Sequence, residues 1–132
     1  MVINSLQTET LKHLDAYALS EIFIEPSGQC LSFGFTSSIG EPSIRLKLFN
    51  PALIKISRTL DDEGLFLVGE ARLASLEDGG KDVFAFLGYD FRNLNGSLLT
   101  YPSRPLLHFH LEGDVCIDVI CENCEMLRAN EV

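Results

Sequence analysis

The sequence predicts a strand-dominated α+β domain: one N-terminal helix and about seven short, mostly antiparallel strands in a β-sandwich-like or strongly curved sheet. Three observations predict it. Apolar and polar side chains alternate with period two in several runs along the chain. Turns carrying Gly, Pro, Asn or Asp separate those runs. Helical spacing of apolar residues marks the N-terminal stretch, where Leu11, Leu14 and Ala18 recur on one face and Leu6 lies two turns before Leu14.

That spacing predicts an amphipathic helix over residues 4–20, opened by Asn4 and Gln7 in the manner of a capping box. Glu21-Ile22-Phe23-Ile24-Glu25 then reads as a strand. Pro26-Ser27-Gly28 turns the chain into a return strand at 29–36, so the first hairpin is expected at residues 21–36.

After a loop, Ile44, Leu46 and Leu48 alternate with Arg45 and Lys47, a half-buried strand with a solvated basic face whose cations suit a protected sheet edge. Asn50-Pro51 interrupts it, and because Pro lacks the N–H that a central ladder needs, a bulge or edge kink is expected there. The run resumes with Ile54 and Ile56 against Lys55 and Ser57, and Asp61-Asp62-Glu63-Gly64 is a turn. Residues 65–76 are strand-like, with Leu67, Ala71 and Leu73 on one side, Glu70 and Arg72 on the other, and a bulge at Gly69. Val83-Phe84-Ala85-Phe86-Leu87 is apolar on both sides, which predicts a central strand covered on both faces. Asn95-Gly96 signals a type I′ turn before a strand at 98–101, and Pro102-Ser103-Arg104-Pro105 punctuates the chain.

The most informative stretch is 104–126. Leu107, Phe109 and Leu111 alternate with His108 and His110; after Glu112-Gly113-Asp114, Val115, Ile117 and Val119 alternate with Cys116 and Asp118. Two such runs around a Gly-bearing turn make a hairpin. A three-residue loop keeps all six apolar side chains on one face, and it sets His110 opposite Cys116 and His108 opposite Asp118.

A chain of 132 residues fits a single domain, 1–132, with no internal repeat or linker. It can bury about two-thirds of its unfolded surface, enough for a core without metal or disulfide support. With 46% hydrophobic residues and no long apolar run, it has neither the composition of a disordered chain nor a membrane span. The N-terminus lacks the basic and apolar regions of a secretory signal, so a cytoplasmic location is expected, where thiols stay reduced. Cys30, Cys116, Cys121 and Cys124 then read as small core or strand residues. The net charge of −9 opposes the phosphate attraction behind nucleic-acid binding, so neither nucleic acid nor membrane is expected as a partner. A basic protein partner is expected instead, together with a homodimer.

The acidic residues of the last segment, Glu112, Asp114, Asp118, Glu122 and Glu125, have Arg128 as their one nearby base and form the candidate binding surface. A single solvated acidic face would steer a basic partner. The alternative reading is a small metal-binding or enzyme domain using His108, His110, Cys116 and Asp118, ligand types that suit a borderline ion such as zinc. Cys121-Glu122-Asn123-Cys124 has zinc-like spacing but no matching second pair, and on a regular strand its thiols point to opposite faces. Its glutamates also disfavour thiolates. Nucleophile elbows, phosphate loops and dinucleotide fingerprints are absent from the sequence, so neither catalysis nor a cofactor is expected.

The segments HLDAYALSEIFIEPSGQCLSFGF and VCIDVICENCEM resemble the opening and final strands of small uncharacterised bacterial β-rich proteins, some labelled immunity proteins of toxin systems. The resemblance covers less than half the chain and rests on strand rhythm. It implies a non-catalytic binding protein that blocks a partner, and it assigns no functional residues.

Overall fold

The structure is a computed structural model that describes residues 11–37, 43–58, 66–77, 81–87 and 105–128. Among the described residues the eight strands are β1 (Tyr17–Ile24), β2 (Cys30–Ser37), β3 (Ile44–Phe49), β4 (Leu53–Arg58), β5 (Phe66–Leu76), β6 (Leu106–Gly113), β7 (Val115–Cys121) and β8 (Asn123–Arg128). Every pairing is antiparallel, in the order β4-β7-β6-β5-β1-β2-β3-β8. Strand dominance is as expected. The turns expected at 61–64 and at Asn95-Gly96 and the strand at 98–101 lie outside the described residues.

Of the N-terminal helix expected over 4–20, residues 4–10 lie outside the described residues and the far end is corrected. Leu11 and Lys12 are helical, Leu14–Ala16 is a 3-10 turn, and the chain is already extended at Tyr17. Residues 17–20 enter β1 because a ladder is available on two sides: Leu19 pairs with Phe35 of β2 and with Phe66 of β5. Tertiary hydrogen bonding overrides the weak helical spacing there. Leu11 and Leu14 are still buried in the core. The β1–β2 hairpin turns at Gly28, whose φ of 73° suits a residue without Cβ, and the Gly28 N–H donates to the Glu25 carbonyl at 2.8 Å.

β3 buries Ile44, Leu46 and Leu48 as the alternation requires. It is not an edge: β2 and β8 flank it, and Arg45 reaches across β2 to β1, donating to Ser32 Oγ at 2.8 Å and to both Glu21 carboxylate oxygens at 3.1 and 3.2 Å. The expected kink at Asn50-Pro51 is a corner, with Asn50 at φ 49°. Here the chain changes partners, because the Asn50 N–H donates to the Gln29 carbonyl and the Ala52 N–H to the Ile120 carbonyl, 2.8 and 2.7 Å away. β4 continues from it against β7, with Ile54 half-buried and Ile56 exposed.

The bulge expected at Gly69 is present as a shift of register between Val68 and Glu70. It also corrects the expected face of Leu67, which is 66% exposed while Val68 and Ala71 are buried. One extra residue reverses the alternation across a bulge. The apolar run at 83–87 is not a strand: Lys81–Phe86 forms the short helix α1, and the Leu87 N–H donates to the Val83 carbonyl at 2.9 Å. Five apolar residues fit either element. The helix prevails because Phe84 covers an apolar patch that Leu106 and Ile120 make on the outside of the sheet, where the three form a second buried cluster.

The main core lies between the inward faces of the two halves of the bent sheet. Leu31, Phe33 and Phe35 of β2 meet Leu107, Phe109 and Leu111 of β6, with the Phe33 and Phe109 rings 5.6 Å apart. A second corner at Glu122, whose N–H donates to the Phe49 carbonyl at 3.0 Å, lets β7 continue into β8 as β3 continues into β4. The two halves are therefore joined both by the β1–β5 pairing and by this two-stranded ribbon.

The final hairpin has the expected clean face, with Leu107, Phe109, Leu111, Val115, Ile117 and Val119 all buried. Its register differs from the three-residue loop: Leu111 pairs with Ile117, His110 with Asp118 and His108 with Ile120. A shift of two residues leaves the faces unchanged, so alternation cannot distinguish the two registers. The hairpin tip decides it by pairing sideways with β5. Gly113 lies opposite Val68, the Asp114 N–H donates to the Leu67 carbonyl at 3.0 Å, and the Leu67 N–H donates to Asp114 Oδ2 at 2.9 Å.

Candidate functional site

The outward face of β4, β7, β6 and β5 carries the site. Cross-strand register sets Lys55, Asp118, His110 and Arg72 in one row. The next row holds Ile120, His108 and Ala74; on the other side of the polar row, Glu70 stands opposite Glu112.

His108 and His110 lie at i and i+2 on β6 and therefore point the same way. Both reach the carboxylate across the strand gap: His108 Nε2 is 2.8 Å and His110 Nδ1 2.7 Å from the same oxygen, Asp118 Oδ1. The other ring nitrogen of His110, Nε2, is 2.7 Å from Glu112 Oε1. Ionised carboxylates only accept, so the geometry favours the protonated ring, in which both His110 nitrogens donate, one to each carboxylate. Burial pulls that ring toward neutrality, but its hydrogen bonds to Asp118 and Glu112 and the charges of those carboxylates outweigh it and hold His110 above its usual range. The three central side chains are each less than a fifth exposed, at 19% for His108, 17% for His110 and 16% for Asp118. This is a half-buried, charge-assisted network and not a solvated strand face.

The acidic residues marked in the sequence do not gather on one surface. Asp118 and Glu112 belong to this network. Asp114 caps the hairpin tip through Leu67, Glu122 sits at the β7–β8 corner and accepts from Asn50 Nδ2 at 3.2 Å, and Glu125 faces Lys47 between β8 and β3. Of the alternative set, His108, His110 and Asp118 are brought together, with one donor atom from each lying within 4.8 Å of the others. Cys116 is exposed, pairs with Ser57 of β4 and is outside this group. The Glu122 corner turns Cys121 and Cys124 both toward the main core, and burial pushes the Cys121 thiol up to about 12. It is a protonated core side chain at neutral pH.

Sequence reading did not single out Glu70, Arg72 or Lys55. Glu70 and Arg72 pair with each other at 3.3 Å, and Glu70 and Glu112 line a shallow depression with Gly69, Gly113 and Cys116. Only the β5–β6 register places Glu70 there, and a bulge in β5 sets that register. Fold and site together define a small antiparallel-sheet domain with an outward imidazole–carboxylate cluster. No protein-family model matches the chain, and a search of curated proteins gives no match. Among the described residues, no helix is long and apolar enough to cross a membrane.

Proposed function

We propose that the chain is a non-catalytic protein-binding domain that takes a basic protein partner on the outward face of β5, β6 and β7. The supporting observation is the Glu70–Glu112 pair, two carboxylates directly opposite one another across β5 and β6, each about half exposed at 54% and 53%. Like charges in that relation destabilise a sheet. Arg72, 3.3 Å from Glu70, and His110, 2.7 Å from Glu112, meet one side of that charge; the half-exposed remainder faces the depression the two line, and the net charge of −9 favours the approach of a partner's basic side chain there. Blocking a partner, as the immunity-protein resemblance implies, is the specific form of this reading.

The test is affinity purification from the native cell with the wild-type chain and with E70Q/E112Q, followed by binding assays with the purified partner. A basic protein is expected to bind the wild type, to bind more weakly as salt rises, and to be lost from the double variant. Equal binding by both chains, or binding insensitive to salt, would overturn the proposal.

A further inference from the structure

We propose that His108, His110 and Asp118 form a binding site for a divalent transition-metal ion of the zinc class. The three donors project from adjacent strands whose hydrogen-bonded register fixes their spacing, and both imidazoles already aim at the Asp118 carboxylate. Two imidazoles and a carboxylate suit zinc, nickel, copper or iron, whereas calcium and magnesium take oxygen-rich sets.

The present spacings of 2.8 and 2.7 Å are hydrogen-bond distances. Tetrahedral zinc with bonds of about 2.0–2.1 Å needs its donors about 3.3 Å apart. The side chains must therefore open by about half an ångström, with the ion taking the place of the protons now shared between them. A second observation supports the assignment. Ligating histidines characteristically give their other ring N–H to a carboxylate, which fixes the ring, and His110 Nε2 does so to Glu112 Oε1 at 2.7 Å. Glu112 thus presents Nδ1 to the ion. With both imidazoles neutral, Asp118, Glu112 and Glu70 set three carboxylates against the two cations Lys55 and Arg72, a balance that favours a cation. The inference goes beyond the protein-binding reading: its ligands are His108, His110 and Asp118, and Glu112 enters it by orienting His110.

The experiment is calorimetric titration of metal-free protein with Zn²⁺ at neutral pH, with Co²⁺ absorption as a second probe. One ion per chain is expected. Binding should be abolished in H108Q/H110Q and D118N, weakened about 10–100-fold in E112Q, and unchanged in C116S. Nitrogen-resolved NMR of the wild-type imidazoles tests the site without any substitution: Zn²⁺ should shift His108 Nε2 and His110 Nδ1. Absence of saturable Zn²⁺ binding, binding retained in the double variant, or unshifted imidazole nitrogens in the wild type would each overturn the proposal.

Discussion

At the scale of single residues, His110 links protonation to stability. Its imidazolium donates to Asp118 on β7 and to Glu112 on its own strand, while Lys55 of β4 and Arg72 of β5 flank the row. The folded value lies above the ordinary 6.5, so between the two values the folded chain binds more protons than the unfolded one. The stabilisation is fully present below about pH 6.5 and is lost as pH rises through the folded value. Urea midpoints of metal-free protein should fall over that window, and His110→Gln should flatten the profile; an unchanged slope in the variant would refute the assignment. An outward, solvated pair of histidines would tolerate substitution within about 0.5 kcal/mol. Because Asp118 is only 16% exposed and accepts from both rings, replacing both with Gln should instead cost about 1–3 kcal/mol in the absence of metal.

At the scale of elements, the β5 bulge and the β6–β7 tip work as one joint. A Cβ on Gly113 would overlap the Leu67 carbonyl oxygen and press on the Gly69 amide, both of them backbone atoms that cannot step aside as a side chain does. Gly113→Ala should therefore destabilise by about 1–3 kcal/mol, as overpacking does, and shift the backbone amide signals of Leu67 and Asp114. Helix α1 depends on its packing against the sheet, with Phe84 at the centre of the contact. Its six residues are too few to be helical alone, and Phe84 is fully buried between Leu106 and Ile120. Phe84→Ala should cost about 3–5 kcal/mol and remove amide-exchange protection at Leu87, whose N–H closes the turn onto Val83. Persistent protection at Leu87 would show that the helix has another support.

At the scale of the molecule, one core joins both halves of the bent sheet, so they should unfold as a unit. Phe33 on β2 and Phe109 on β6 meet across it with ring centroids 5.6 Å apart. Changing each to Ala should cost about 3–5 kcal/mol, and a double-mutant cycle should return about 0.5–1.5 kcal/mol of coupling between the halves. Two separate unfolding transitions, or a coupling near zero, would show the halves to be independent. The basic residues of β3 have a role at this scale that differs from edge protection: Arg45 ties Glu21 of β1 to Ser32 of β2 on an interior strand. Its guanidinium holds the Glu21 carboxyl below its usual range, chiefly through their hydrogen bond.

Period-two alternation was sufficient to identify β3, β6 and β7 and their buried faces, while turn, Pro and Gly chemistry marked β2, the kink at Asn50-Pro51 and the bulge at Gly69, because each depends on neighbours along the chain. It also placed His108, His110 and Asp118 on one outward face of a hairpin. What alternation cannot carry is a displacement by two residues, which preserves every face; the pairing of His110 with Asp118 was settled by β5 capturing Gly113 and Asp114. The same limit explains the two misread elements. Residues 17–20 and 83–87 have patterns that fit helix or strand locally, and the choice fell to partners distant in sequence: β2 and β5 for Leu19, Leu106 and Ile120 for Phe84. The acidic residues divided for that reason too, since charge is a property of composition, whereas which carboxylates share a surface is a property of register. Local physics specified what each strand buries, and only the long-range ladder decided what stands beside it.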